Sequence, residues 1–171
     1  KTAYEIRPRD WSSDVCSSDL SIDPAKLQLV KDLVKADNGW AVLPTARPDG
    51  SVQSSVVTAT IMDHPKTGEP VIGFLCRGGT IKIRNMRRTP TATITFRGGS
   101  KWVTVEGKLT MVGPEDAAEG FDQAEVPQLL RGIERALRGE SADWAAFDKN
   151  MADQQRAAAY IALDRVYSNP G

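Results

Sequence analysis

Residues 40–62 read WAVLPTARPDGSVQSSVVTATIM, and their pattern decides the fold. A short apolar run (40–46) and a longer run rich in Val, Thr and Ser (51–62) flank Arg47-Pro48-Asp49-Gly50. In such a tetrapeptide Pro presets φ, Asp bonds the backbone two residues on, and Gly accepts positive φ. β-branched side chains suit a pleated, half-buried surface. The stretch is therefore predicted to be an antiparallel hairpin, the nucleus of a β fold.

Upstream, Ser21-Ile22-Asp23-Pro24 reads as a helix start, with Asp23 as the cap and Pro24 in the first helical position. Leu27, Val30, Leu33 and Val34 recur at helical spacing, and Asn38-Gly39 ends the helix. Downstream, DHPKTGEP is a polar turn and residues 71–76, VIGFLC, are a buried strand. Gly78-Gly79 breaks that strand. Thr80 is expected to cap a short helix running through Arg88, stopped by Thr89-Pro90. TATITF (91–96) and the alternating WVTVEGKLTMV (102–112) are two further strands. A helical region is expected from Pro114 to Gln155, and a final strand over 159–168. Strands joined by turns, with few intervening helices, predict a mainly β (α+β) barrel of antiparallel strands and not a parallel sheet.

The chain's 171 residues fit one domain, here residues 21–171. With 22 basic against 22 acidic residues, the balance argues against a dedicated nucleic-acid binder. No apolar run reaches the ~18 residues of a membrane span, and no signal peptide is evident, so a cytoplasmic location is expected. Two cysteines and one histidine exclude a disulfide framework and imidazole-rich metal centres, and no metal is expected. Residues 1–20 share no period with the rest of the chain and resemble a translated sequencing-adapter read. They are set aside as non-native or disordered, and with them Trp11 and Cys16.

One segment departs from the neutral average. Arg77, Lys82, Arg84, Arg87, Arg88, Arg97 and Lys101 fall within residues 77–101, which hold no Asp or Glu. Such a segment suggests a single anion site. A glycine break lets the backbone approach an anion closely, the following helix offers its N-terminal dipole, and Lys82 and Arg84 add charge-assisted hydrogen bonds. Arg87 reads as an exposed cation. His64 is expected to be exposed in its turn, Cys76 to sit in the core, and Glu106 to be structural or paired with a nearby arginine. Tyr160 and Tyr167 are read as packing residues that could donate a proton.

GWAVLPTARPDGSVQSSVV, KIRNMRRTPTATITF, WVTVEGKLTMV and the ending YIALDRVYSNPG together resemble the split β-barrel flavin and deazaflavin oxidoreductases, the pyridoxamine 5'-phosphate oxidase-like superfamily. The resemblance covers roughly Pro24 to Pro170. KIRNMRRTP and DRVYSNPG look most like the actinobacterial branch that uses coenzyme F-420. The resemblance implies a six-stranded antiparallel Greek-key barrel with flanking helices, usually a homodimer with cofactor clefts at its interface. It implies hydride transfer between reduced F-420 and a small conjugated organic acceptor, with FMN as the alternative cofactor and a non-catalytic carrier as the alternative role. No catalytic side chain is then required, because the cofactor carries the hydride chemistry.

By the same resemblance the cofactor phosphate falls to Arg77, Thr80, Lys82 and Asn85, with Arg84 and Arg88 beside them. Ser54, Ser55, Val56 and Val57 would run beside the ring, and Trp102 would stack on it or pack between subunits. Authentic pyridoxamine-phosphate oxidases end in an Arg-rich motif similar to WRLxP. This chain ends DRVYSNPG, which argues against that substrate. The extra helical stretch 115–155, with Trp144 and Phe147, would cover a substrate pocket.

Overall fold

A computed structural model describes residues 22–169. The chain opens as its sequence predicts. Helix α1 (Pro24–Ala36) starts at Asp23, whose carboxylate accepts the Ala25 N–H, and it buries Val30, Leu33 and Val34. Asn38 and Gly39 take positive φ at its end, and the Gly39 N–H donates to the Val34 carbonyl at 2.7 Å. Gly39 is irreplaceable on a second count, since a Cβ there would lie 2.5 Å from the Ala59 carbonyl oxygen.

The hairpin forms in the expected register. Strand β1 (Trp40–Ala46) pairs with β2 (Val52–Asp63), Val42 facing Val56 and Pro44 facing Ser54. Strand β3 (Pro70–Cys76) follows, then the short helix α2 (Ile81–Met86), then β4 (Thr91–Gly98) and β5 (Lys101–Val112). Helices α3 (Val126–Arg138) and α4 (Trp144–Asp153) precede β6 (Ala157–Ala162) and β7 (Arg165–Ser168).

All strand pairings are antiparallel, and the order β4-β1-β2-β3-β6-β5 closes on itself through β4–β5. This is the expected closed six-stranded barrel. The chain does not simply meander: from β3 it crosses over by way of α2 to β4, on the far side of β1. Closure covers most of the sheet edge that would otherwise invite aggregation.

Three sequence-based boundaries are corrected. The helix after Gly79 ends at Met86 and not at Arg88. Residues 114–122 form no helix; the Gly113–Asp116 bridge and a capped 3-10 turn at Gln123–Glu125 lead into α3. The last strand divides at Leu163-Asp164: β6 pairs with Leu109–Val112 of β5, while β7 pairs with Val103–Glu106 of the same strand. The bend lies where Gly107 meets the Ala162 carbonyl, so close that a Cβ at 107 would stand 1.9 Å from that oxygen.

Burial follows the alternation. Leu43, Val57, Phe74, Ile94, Phe96, Val103, Val105 and Ile161 fill the barrel, and Val30, Leu33 and Val34 of α1 join the same cluster. A second cluster lies outside the barrel, where Leu129, Leu130 and Ile133 of α3 and Met151 of α4 cover Val71, Ala158 and Tyr160. Burying a side chain of this size contributes about 1.5–3 kcal/mol, so the helical excursion is an integral second layer.

Candidate functional site

The barrel is split between β2 and β3. Their pairing runs only from Ala59↔Phe74 to Asp63↔Pro70, after which β3 continues along β6 alone. Among the described residues, the 52–58 stretch of β2 therefore has β1 on one side and no strand on the other. The Ala59 N–H donates to the Gly39 carbonyl at 2.8 Å. By the two-residue alternation of an antiparallel pair, odd-numbered backbone groups turn toward β1, and those of Ser54 and Val56 turn to the open edge.

The side chains of the four predicted ring neighbours divide between two faces. Ser54 and Val56 point outward and are exposed; Ser55 is half-buried and Val57 is buried inside the barrel. Only backbone groups of this strand and the outward side chains can meet a flat molecule lying outside it.

Beside the split, β3 ends at Cys76 and the glycine turn begins. Arg77 is exposed, Lys82 half-buried and Arg84 exposed, and among the described residues none of the three pairs with a carboxylate. Gly79 has φ 68° with nothing within 4 Å of a would-be Cβ, so the turn is open to an approaching group. Thr80 does not cap α2 with its side chain; its hydroxyl donates to the Arg77 carbonyl at 2.9 Å and tightens the turn instead. With six residues, α2 has little macrodipole to offer, and the positive potential here comes from side chains.

Asn85 and Arg88 direct their polar groups into the chain. Asn85 is buried; its amide donates to the Thr45 hydroxyl at 3.0 Å, and its oxygen accepts from Arg88 at 2.7 Å. Arg88 also donates to the Ala46 and Arg84 carbonyls, at 3.2 and 3.1 Å. These bonds fix α2 against the end of β1 and so orient Lys82 and Arg84. Arg87 is exposed as expected, and it is also bound to Asp116 and to Glu115, at 3.0 Å for the latter. The two carboxylates hold its guanidinium protonated even more firmly than usual.

Sequence reading missed a further cation, Arg156. Cys76 pairs with Ala157 at the end of the β3–β6 ladder, and Arg77 and Arg156, the residues just beyond it, lie close enough for their charges to repel. The Gly78 N–H, donating to the Gln154 carbonyl at 3.1 Å, holds the two segments together. Arg156 is half-buried; its Nε donates to Gln154, and no carboxylate pairs with it among the described residues. Burial, then repulsion from Arg77, weakens its hold on its proton. Like charges held this close are unfavourable, and an anion between them would reverse the sign. Only the strand register brings residues so distant in sequence together.

Other expected residues fall elsewhere. Trp102 is half-exposed and lies edge-on to Tyr167, ring centres 6.2 Å apart. The Tyr167 hydroxyl donates to Glu106, which also pairs with Arg165 at 3.5 Å, as an arginine partner for Glu106 requires. Cys76 is fully buried, and that burial pushes its thiol up to about 12. His64 is half-buried and not exposed as expected, because Phe121 folds over its turn. Trp144 and Phe147 pack edge-on with ring centres 5.5 Å apart, Phe147 against the second core. The expectations for residues 1–20 and for Pro170 and Gly171 lie outside the described residues.

No protein-family model and no curated protein sequence matches the chain. Solved structures do. A pyridoxamine 5'-phosphate oxidase-related, FMN-binding protein from Nostoc punctiforme superposes with TM-score 0.59 at 14% identity, over 86% of this chain and 84% of that one. The two share the fold, a split β-barrel. A conserved hypothetical protein from Mycobacterium tuberculosis gives 0.58 at 18% identity, over 89% and 87% of the two chains. An F-420 reductase gives 0.53 at 16% identity, over 80% of this split barrel and 94% of that chain. No helix among the described residues is long and apolar enough to cross a membrane.

Proposed function

We propose that this split barrel is an oxidoreductase that binds reduced coenzyme F-420 and delivers its hydride to a small conjugated organic acceptor. The observation that carries the reading is the set of cations without carboxylate partners among the described residues: Arg77, Lys82 and Arg84 on the segment that leaves β3 beside the split, and Arg156 next to Arg77. A deazaflavin cofactor has a flat ring and an anionic tail, and the donor set suits both parts. Lys82, Arg84 and Arg77 would hold the phosphate through charge-assisted hydrogen bonds. The free backbone groups of Ser54 and Val56 would meet the polar edge of the ring. Asn85 and Arg88 position α2, and Thr80 closes the turn. When bound, the cofactor supplies the hydride chemistry, and the protein orients it and excludes water.

The same cations suit the phosphate of FMN, so the alternative cofactor uses the same corner. The outward face of the hairpin supports a homodimer. Trp40, Val42, Val52 and Val56 are 51, 39, 61 and 63% exposed and lie side by side on β1 and β2. Contiguous apolar surface of this kind marks an interaction face. A second copy seated there would enclose the cofactor cleft next to Ser54 and bring Trp102 to its border.

Titration of the purified protein with F-420 and, separately, with FMN tests the cofactor assignment. Oxidation of reduced F-420 by enone and quinone acceptors then tests turnover. Lys82→Ala is expected to weaken F-420 binding about tenfold, the loss of one charge-assisted bond. Unchanged affinity would sink the phosphate-site assignment. Tight binding without turnover would favour the carrier role, and FMN retained through purification the alternative cofactor.

A further inference from the structure

A second cleft lies on the outer face of β3, β5 and β6 and shares no residue with the cation corner. Its volume is about 480 Å³, and His64, Phe121 and Tyr160 form its aromatic side. The Phe121 and Tyr160 rings are parallel within 7°, with centres 6.5 Å apart. His64 stands edge-on to both, at 5.7 and 5.5 Å. Val71 and Ala162 add apolar wall from β3 and β6.

One polar group beside this cleft is buried without a partner, and a second is unpaired within the chain. Tyr160 is 1% exposed, and its buried hydroxyl has no hydrogen-bond partner among the described residues. A buried hydroxyl is seldom left without a partner. His64 Nδ1 accepts the N–H groups of Lys66 and Thr67, at 3.4 and 3.3 Å, which assigns the hydrogen of the neutral ring to Nε2. Nε2 has no partner among the described residues. Burial lowers the affinity of His64 for a second proton, so the neutral ring prevails at pH 7. The cleft is therefore bordered by a buried, unpartnered hydroxyl and by an unpaired ring N–H.

The rim sets the charge of the occupant. Glu69, Glu119 and Asp164 face Lys108, while Lys66, 5.3 Å from the Phe121 ring centre, is paired with Glu125, and this acidic balance disfavours an anion. An aromatic core that simply closed on itself would leave neither this volume nor two unused hydrogen-bonding groups.

We infer that this cleft binds a neutral, flat, conjugated molecule of about two fused rings carrying one carbonyl or hydroxyl oxygen. The ring lies against Phe121, and the oxygen bonds Tyr160 or His64. The inference does not rest on the cofactor reading, and either can fail alone.

Calorimetric titration with 1-tetralone, and with tetralin as its oxygen-free counterpart, tests it. Tetralone should bind one site per chain at least fivefold more tightly than tetralin. Tyr160→Phe or His64→Gln should remove that preference and leave tetralin binding unchanged. Phe121→Ala should weaken both probes. Lys82→Ala should alter neither, which separates this cleft from the cofactor corner. Thermal melts of each variant show that the fold persists. Equal binding of the two probes by the unmodified chain, or a preference that survives both polar substitutions, would overturn the assignment.

Discussion

Arg87 grips Asp116 through two parallel hydrogen bonds, Nε to Oδ1 at 2.7 Å and Nη2 to Oδ2 at 2.9 Å. The carboxylate is buried and the guanidinium is partly exposed. This pair ties the end of α2 to the loop that follows β5, and thus links the cation corner to the helical layer. Truncating Arg87 to Ala would leave a buried charge uncompensated. The expected cost is about 2 kcal/mol, between that of an exposed pair and a fully buried one. Urea unfolding of Arg87→Ala checks it; a loss within error would show that solvent already compensates Asp116.

Arg156→Ala should separate stability from binding. Without an anion, removing one of two neighbouring cations relieves repulsion, and the chain should become more stable by about 0.5 kcal/mol. Affinity for an anionic cofactor should fall in the same variant. Thermal melts with and without F-420 or FMN read both effects. A variant that loses stability and keeps full affinity would remove Arg156 from the corner.

Gly107→Ala is expected to be among the most damaging single changes. The added Cβ would overlap the Ala162 carbonyl oxygen, and backbone cannot step aside as a side chain can. The cost should be about 3 kcal/mol or more, read as a fall in the urea midpoint or in recovered folded protein. Gly132→Ala, at a helical position with open space, is the matched control and should stabilise.

His64 sets a pH dependence. Its proton affinity is lower in the folded chain than in the unfolded one, because burial disfavours the cation. The unfolded state therefore binds more protons just below pH ~6.5, and stability must fall as pH drops through that value. The contribution is fully present above it. His64→Gln should flatten the fall in melting temperature between pH 7 and 5, while the carboxylate-driven loss at lower pH remains. An unchanged slope would mean that His64 titrates alike in both states.

Val56→Lys tests the hairpin face. The side chain is exposed, so the monomer fold should tolerate the change. If a second copy covers this face, sedimentation should report a shift from dimer to monomer, and cofactor affinity should fall with it. A dimer that persists would place the interface elsewhere.

Much of the fold was legible because it depends on local chemistry. The turn at residues 47–50, the Asp23-Pro24 start and the Val and Thr alternation each act over a few residues, and each element formed where its pattern placed it. The misread boundaries have tertiary causes. Leu163-Asp164 breaks a strand because β5 must pair with both β6 and β7 along one edge, with Gly107 packed at the bend. Residues 114–122 look helical by composition, yet the loop is held by Arg87 from a distant helix.

The candidate site divides in the same way. The sequence alone determined that positive charge concentrates at residues 77–88 and that a glycine turn precedes it. It also determined which strand carries Ser54 and Val56. Only the tertiary structure decided which cations keep carboxylate partners. It bound Arg87 to Asp116, turned Arg88 and Asn85 inward, and brought Arg156 close to Arg77. It likewise gathered His64, Phe121 and Tyr160 into one wall. Charge and propensity are properties of a residue and its neighbours in the chain. Pairing, burial and register depend on residues dozens of positions away, and closure of the barrel is what brings them within reach.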